Sequence, residues 1–180
     1  MATDSFLDFK KNEQTIEDID SIIGLLTNVE FEILHVLLVK NMPMNVLNIR
    51  NEMLHEKKLK IRNIEIPAYE TIDKRLRELE RIGFVNFRAG ASTKSKYLAV
   101  VSPSLVKKYK KRKNELFDEY TNLYLKIKKT NPSEHIEIAR ADAVGQLIQK
   151  YGERIIIFFG LFKIINNQKA FMEKNKSCGS

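Results

Sequence analysis

The sequence predicts a mainly α-helical protein with one small β-hairpin and a helical C-terminal region. Three observations carry that expectation. Apolar residues recur at helical spacing in several separate segments. After Gly83 the pattern switches to two short β-rich runs around a small, polar, cationic connection. Beyond Ser102 the helical spacing returns and persists almost to the end of the 180-residue chain.

In residues 13–26, Ile16, Ile19, Ile22, Ile23 and Leu26 form one apolar stripe of a helix. A second helix opens at "TNVE", where Thr27 and Glu30 have the spacing of a capping box. Phe31, Leu34, Leu37 and Leu38 supply its buried face, and Pro43 closes it. A third, short helix is expected from Asn45, its cap, to about Lys57, packing through Val46, Ile49, Met53 and Leu54.

Residues 57–66 alternate only weakly and read as a loop or a short strand. Pro67 then suits the first turn of a further helix, "PAYETIDKRLRELERIG". Its apolar residues Ile72, Leu76, Leu79 and Ile82 are spaced by four, three and three, and Gly83 is a good residue just beyond its end. "FVNFRAG" and "KYLAVVS" form the arms of the hairpin, with "ASTKS" at its tip.

Ser102, Pro103 and Ser104 open a helix of about 26 residues, on the order of 40 Å long. Its stripe of Leu105, Tyr109, Leu116, Tyr120, Leu123 and Ile127 approximates a heptad, broken within "KKYKKRK". "NPSE" at 131–134 reads as the next helix start, with an end near Gly152. A last helix is expected through Met172, apolar nearly all round over Ile155–Leu161 and therefore buried.

Charge is unevenly distributed. Residues 1–39 carry −6, residues 40–114 carry +12 and residues 115–180 carry +2, which together give the net +8. A cationic segment inside an ordered domain is the footprint of a polyanionic partner, set against the plainer reading of a lysine-rich solvated surface.

The segment "YETIDKRLRELERIGFVNFRAGASTKSKYLAV" (Tyr69–Val100) resembles the winged helix-turn-helix superfamily, closest to the MarR- and PadR-type transcription regulators. Thr71, Ile72, Lys74, Leu76, Leu79, Glu80, Gly83, Phe84 and Val85 match that recognition-helix-and-wing pattern. The likeness covers about residues 25–105. The connection at Lys58–Ile66 is longer than the usual turn of the motif, and the C-terminal helices match no named subfamily.

The resemblance implies a winged helix-turn-helix domain over 27–102, an N-terminal helix within 1–26 that could join a dimer interface, a helical dimerisation region over 103–174, and a flexible tail over 175–180. It implies a homodimeric, sequence-specific transcriptional regulator of double-stranded DNA. Ala68, Tyr69, Glu70, Thr71, Lys74, Arg75, Arg77 and Arg81 would form the recognition helix in the major groove. Arg88, Ser92, Thr93, Lys94 and Lys96 would form the wing, on the backbone or in the minor groove. Leu116, Tyr120, Leu123, Ile127, Ile156 and Phe159 would line the dimer interface. A plasmid or viral replication or partition protein is the alternative on the same fold, and a winged-helix protein–protein module is the second.

Other chemistry finds little support. His35, His55 and His135 have no second ligand at metal spacing, and the seven glycines form no phosphate loop. No Ser/His/Asp or Cys/His order points to a nucleophile, so neither an enzyme nor a cofactor is expected. A small-molecule effector has no supporting motif. The single cysteine, Cys178, excludes an internal disulfide. The N-terminal sequence is polar and acidic, unlike a signal peptide, and the apolar run Ile155–Ile165 is too short for a span and contains Lys163. A cytoplasmic, nucleoid-associated protein without a membrane role is the expectation.

Overall fold

A computed structural model describes residues 18–59, 63–90, 97–161 and 163–164. It is mainly helical, with a two-stranded antiparallel hairpin, and it divides into two compact units at Lys110–Lys111.

The first unit begins with α1 (Ile19–Leu25), capped by the Asp18 side chain. The part of the expected stripe before Asp18, including Ile16, lies outside the described residues. Helix α2 (Asn28–Lys40) opens with the expected capping box: the Thr27 N–H donates to Glu30 Oε2 at 2.8 Å, and the Glu30 N–H to Thr27 Oγ1 at 3.3 Å. It ends at Asn41 in the left-handed conformation. Helix α3 (Val46–Lys58) starts where Asn45 Oδ1 accepts the Asn48 N–H.

Helix α4 (Tyr69–Arg81) starts two residues after Pro67, which therefore precedes the helix and is not in its first turn. The cause is local. Ala68 is extended at φ −64°, ψ 156°, and the Pro67 carbonyl accepts a hydrogen bond from Arg50 Nε at 3.0 Å. Of the stretch 57–66 read as a loop or short strand, Lys57 and Lys58 instead complete α3, while residues 63–66, and 67–68 after them, form neither helix nor strand. Ile64 anchors it by burial.

Gly83, at φ +83°, terminates α4. Its N–H donates to the Glu80 carbonyl and the Phe84 N–H to the Leu79 carbonyl, the paired bonds of a Schellman end. The chain then enters β1 (Val85–Ala89), which pairs antiparallel with β2 (Tyr97–Val101) in the register Val85–Val101, Phe87–Ala99 and Ala89–Tyr97. A third backbone segment joins them. Met44, between α2 and α3, exchanges both backbone hydrogen bonds with Ala99, at 3.1 and 2.8 Å.

Ile33, Leu34 and Leu37 of α2, Ile49 and Met53 of α3, and Ile72, Leu76 and Leu79 of α4 are essentially inaccessible. The three helices contact one another pairwise, α4 also meets β1, and α2 meets β2. Each such side chain contributes about 1.5–3 kcal/mol by burial. That core fixes the rotation of α4 about its axis. His35 lies inside it, stacked on Phe31, with Nε2 3.7 Å from Glu56 Oε1.

Helix α5 (Pro103–Thr130) has 28 residues, and the division between the units falls within it. In the second unit, α6 (Ile136–Tyr151) has its N-cap at His135, four residues later than Asn131, where the "NPSE" signature places it. Residues 131–134 instead close a turn: the Glu134 N–H donates to the Asn131 carbonyl at 3.1 Å, Ser133 Oγ donates to Asn131 Oδ1, and Lys128 Nζ donates to the Pro132 carbonyl.

Helix α7 (Glu153–Phe158) is far shorter than the last helix expected from the sequence. Gly160, at φ +80°, stops it with the same paired bonds seen at Gly83, from Gly160 N–H to the Ile157 carbonyl and from Leu161 N–H to the Ile156 carbonyl. The stretch on to Met172 lies outside the described residues, apart from Lys163 and Ile164.

Candidate nucleic-acid interface

Helix α4 is strongly two-sided. With Ile72, Leu76 and Leu79 turned into the core, the positions Glu70, Lys74, Arg77 and Arg81 fall in one outward column at steps of four, three and four. All four are exposed. Lys74 has no ion-pair partner among the described residues. Arg77 donates through Nε to Asp73 Oδ2 at 3.1 Å while remaining 63% exposed, so the pair is weak and the guanidinium accessible.

Arg75 is placed differently. It lies on the flank of α4, half-buried, with Nη1 2.7 Å from Glu78 Oε2 and 3.5 Å from Glu30 Oε1. Glu30 is almost wholly buried. Arg75 therefore ties α4 to the start of α2, while the other three cations of α4 face outward.

The remaining expected positions separate as follows. Ala68 is the exposed residue at the helix cap, and Tyr69 is half-exposed in the first turn. Thr71 is exposed and lines a groove of about 580 Å³ with Asn28, Ile64 and Pro67. Tyr69 and Arg77 border a second groove, of about 530 Å³, with Met44, Asn45 and Tyr97. Arg88 is exposed on β1. Ser92, Thr93, Lys94 and Lys96 lie outside the described residues.

The charge of this unit has an uneven origin. Helix α4 contains four acidic and four basic side chains and is neutral overall. From Ile82 to the end of the unit at Lys110 there are six basic residues and no acidic one. The cationic excess that follows α4 therefore belongs to the hairpin and the start of α5.

Two features escaped the sequence reading. The Met44 bridge is a single extended residue, too short for any periodicity, and its only trace is its position between Pro43 and the Asn45 cap. The Arg75–Glu30 contact spans 45 positions, and no local spacing encodes it.

In the second unit, Leu116, Ile156 and Phe159, expected at a dimer interface, are completely buried within a single chain. Their own chain covers them, and they offer no area to a partner. Tyr120, Leu123 and Ile127 are half-buried, and Tyr120 stacks on Tyr124 with ring centroids 6.4 Å apart. Leu125, Ile136 and Ile138 are exposed apolar residues that the heptad reading did not single out. Glu119 joins α5 to α6, accepting hydrogen bonds from Lys150 Nζ at 2.6 Å and from the Tyr151 hydroxyl at 2.7 Å. Burial pushes its carboxyl upward, but the two donors outweigh that and hold it below the usual carboxylate range. Arg112 caps the other side of the cluster, 4.7 Å above the Tyr151 ring.

Among the described residues, no three His, Cys, Asp or Glu side chains converge to hold a metal ion. No described helix is long and apolar enough to cross a membrane. Comparison with protein-family models, with curated proteins and with solved structures finds no match.

Proposed function

We propose that this chain is a homodimeric, sequence-specific double-stranded DNA-binding transcriptional regulator built on a winged helix-turn-helix domain. The observation that carries the reading is the outward column Lys74, Arg77 and Arg81 on a helix followed at once by a hairpin. A helix fits the major groove of B-DNA, about 12 Å wide, and a protruding hairpin suits the backbone beside it. The element order supports the same reading: helix, a single bridging residue, helix, helix, strand, strand.

In this reading Tyr69, Thr71 and Lys74, near the start of α4, meet base edges. Arg77, Arg81 and the hairpin's Arg88 hold phosphates. Arg75 serves the fold. The dimer contact in this reading is the partly covered stripe of Tyr120, Leu123 and Ile127 on α5. A dimer of this kind takes a pseudo-palindromic site with half-site centres about 34 Å apart.

The test is selection of bound duplexes from a random pool, with the protein's mass in solution measured in parallel. An enriched, near-palindromic motif and a mass near twice 21.0 kDa are expected. A pool that stays random after repeated rounds rules out the regulator.

A further inference from the structure

We infer that Lys107 and Lys110, on the exposed side of α5, form a phosphate-holding surface additional to α4 and the hairpin, one that grips the DNA backbone without reading its sequence; this rests on the DNA-binding reading above. Leu105 and Tyr109, one turn apart, are buried and fix the rotation of this part of α5. That anchoring turns Lys107 and Lys110 outward, three positions apart, and both are exposed.

Their electrostatic setting is unbalanced. Neither lysine has an ion-pair partner among the described residues. The first acidic residue of α5 is Glu115, more than a turn beyond Lys110, and its carboxylate lies 3.4 Å from Arg112. The chain before the pair carries no acid back to Ile82. Within "KKYKKRK", six cations crowd two turns of helix, and like charges three and four positions apart repel. A solvated lysine face normally intersperses carboxylates, as α4 does with its four. Around Lys107 and Lys110 the sequence keeps a cationic excess that a row of phosphates would relieve. Lysine suits that task because it meets a phosphate as a mobile point charge and not through a planar fork matched to one geometry.

The experiment compares the unsubstituted protein with K107Q/K110Q and K107R/K110R, measuring duplex affinity across a salt series and repeating the selection from random sequence. Each phosphate contact contributes about 0.9 to the slope of log K against log salt. The glutamine pair should flatten that slope by about 1.8 and leave the selected motif unchanged, and the arginine pair should keep the original slope. A glutamine variant with the original slope, or one that selects a different motif, overturns the inference while leaving the DNA reading in place. An unsubstituted protein with no duplex affinity at low salt overturns both.

Discussion

Arg75 of α4 reaches across to Glu30 at the start of α2, with its guanidinium 3.5 Å from a carboxylate whose other oxygen already accepts the Thr27 N–H. One buried acid thus closes a helix cap and anchors the neighbouring helix. Replacing Arg75 by Ala leaves that acid short of a donor, so stability should fall by about 1–3 kcal/mol in urea denaturation. The salt slope for duplex binding should not change. A slope reduced by about one unit would return Arg75 to the DNA-contacting set.

Lys74 should behave in the opposite way. It is exposed, and its side chain makes no ion pair among the described residues, so Lys74→Ala should leave the unfolding free energy from urea denaturation within about 0.5 kcal/mol. Discrimination at one base pair should fall by about 1–3 kcal/mol, read by competition with single-position variants of the selected site. Arg81→Ala should weaken every sequence equally.

These two neighbours mark how much of the site the sequence could show. The spacing of Ile72, Leu76 and Leu79 defines the inward side of α4, and the outward column follows from it. The capping box at Thr27 and the glycine stop at Gly83 are local chemistry and appear where their residues predict them. Arg75 and Lys74 are adjacent cations, and only the approach of Glu30 in three dimensions separates their roles. The same distinction explains the errors. "NPSE" has the composition of a helix start, but the turn over Asn131–Glu134, with Lys128 folded onto it, holds those residues outside α6. The apolar run after Gly152 reads as one helix until Gly160 adopts a positive φ. Its burial was legible; that the chain itself supplies the cover was not, because periodicity does not say which surface fills a face.

Tyr109 should titrate late. Burial pushes its hydroxyl up to about 12, because the phenolate would lose its water. The raised value means that its contribution to stability is complete below the ordinary tyrosine pKa and is lost as the pH rises beyond it. Ultraviolet difference titration should show a late component that Tyr109→Phe removes.

Glu119 should govern part of the acid limb. Its carboxyl is held below its ordinary value, so its stabilising effect is present above that value and is lost as the pH falls through the lowered one. Lys150 is well exposed, which keeps the contribution under about 1 kcal/mol. Glu119→Gln should therefore flatten the stability profile as the pH falls below the ordinary carboxylate range. A profile that stays parallel to that of the unsubstituted protein would remove Glu119 from the account.

The Met44–Ala99 bridge joins positions 55 apart in the chain. A hairpin alone can zip within microseconds, but this connection cannot form until the two helices between its partners have been brought back alongside. It should consequently be among the last contacts acquired on refolding. The amide proton of Met44, sealed by that late step, should exchange with deuterium only when the whole unit opens, making one peptide group a gauge of the unit's cooperativity.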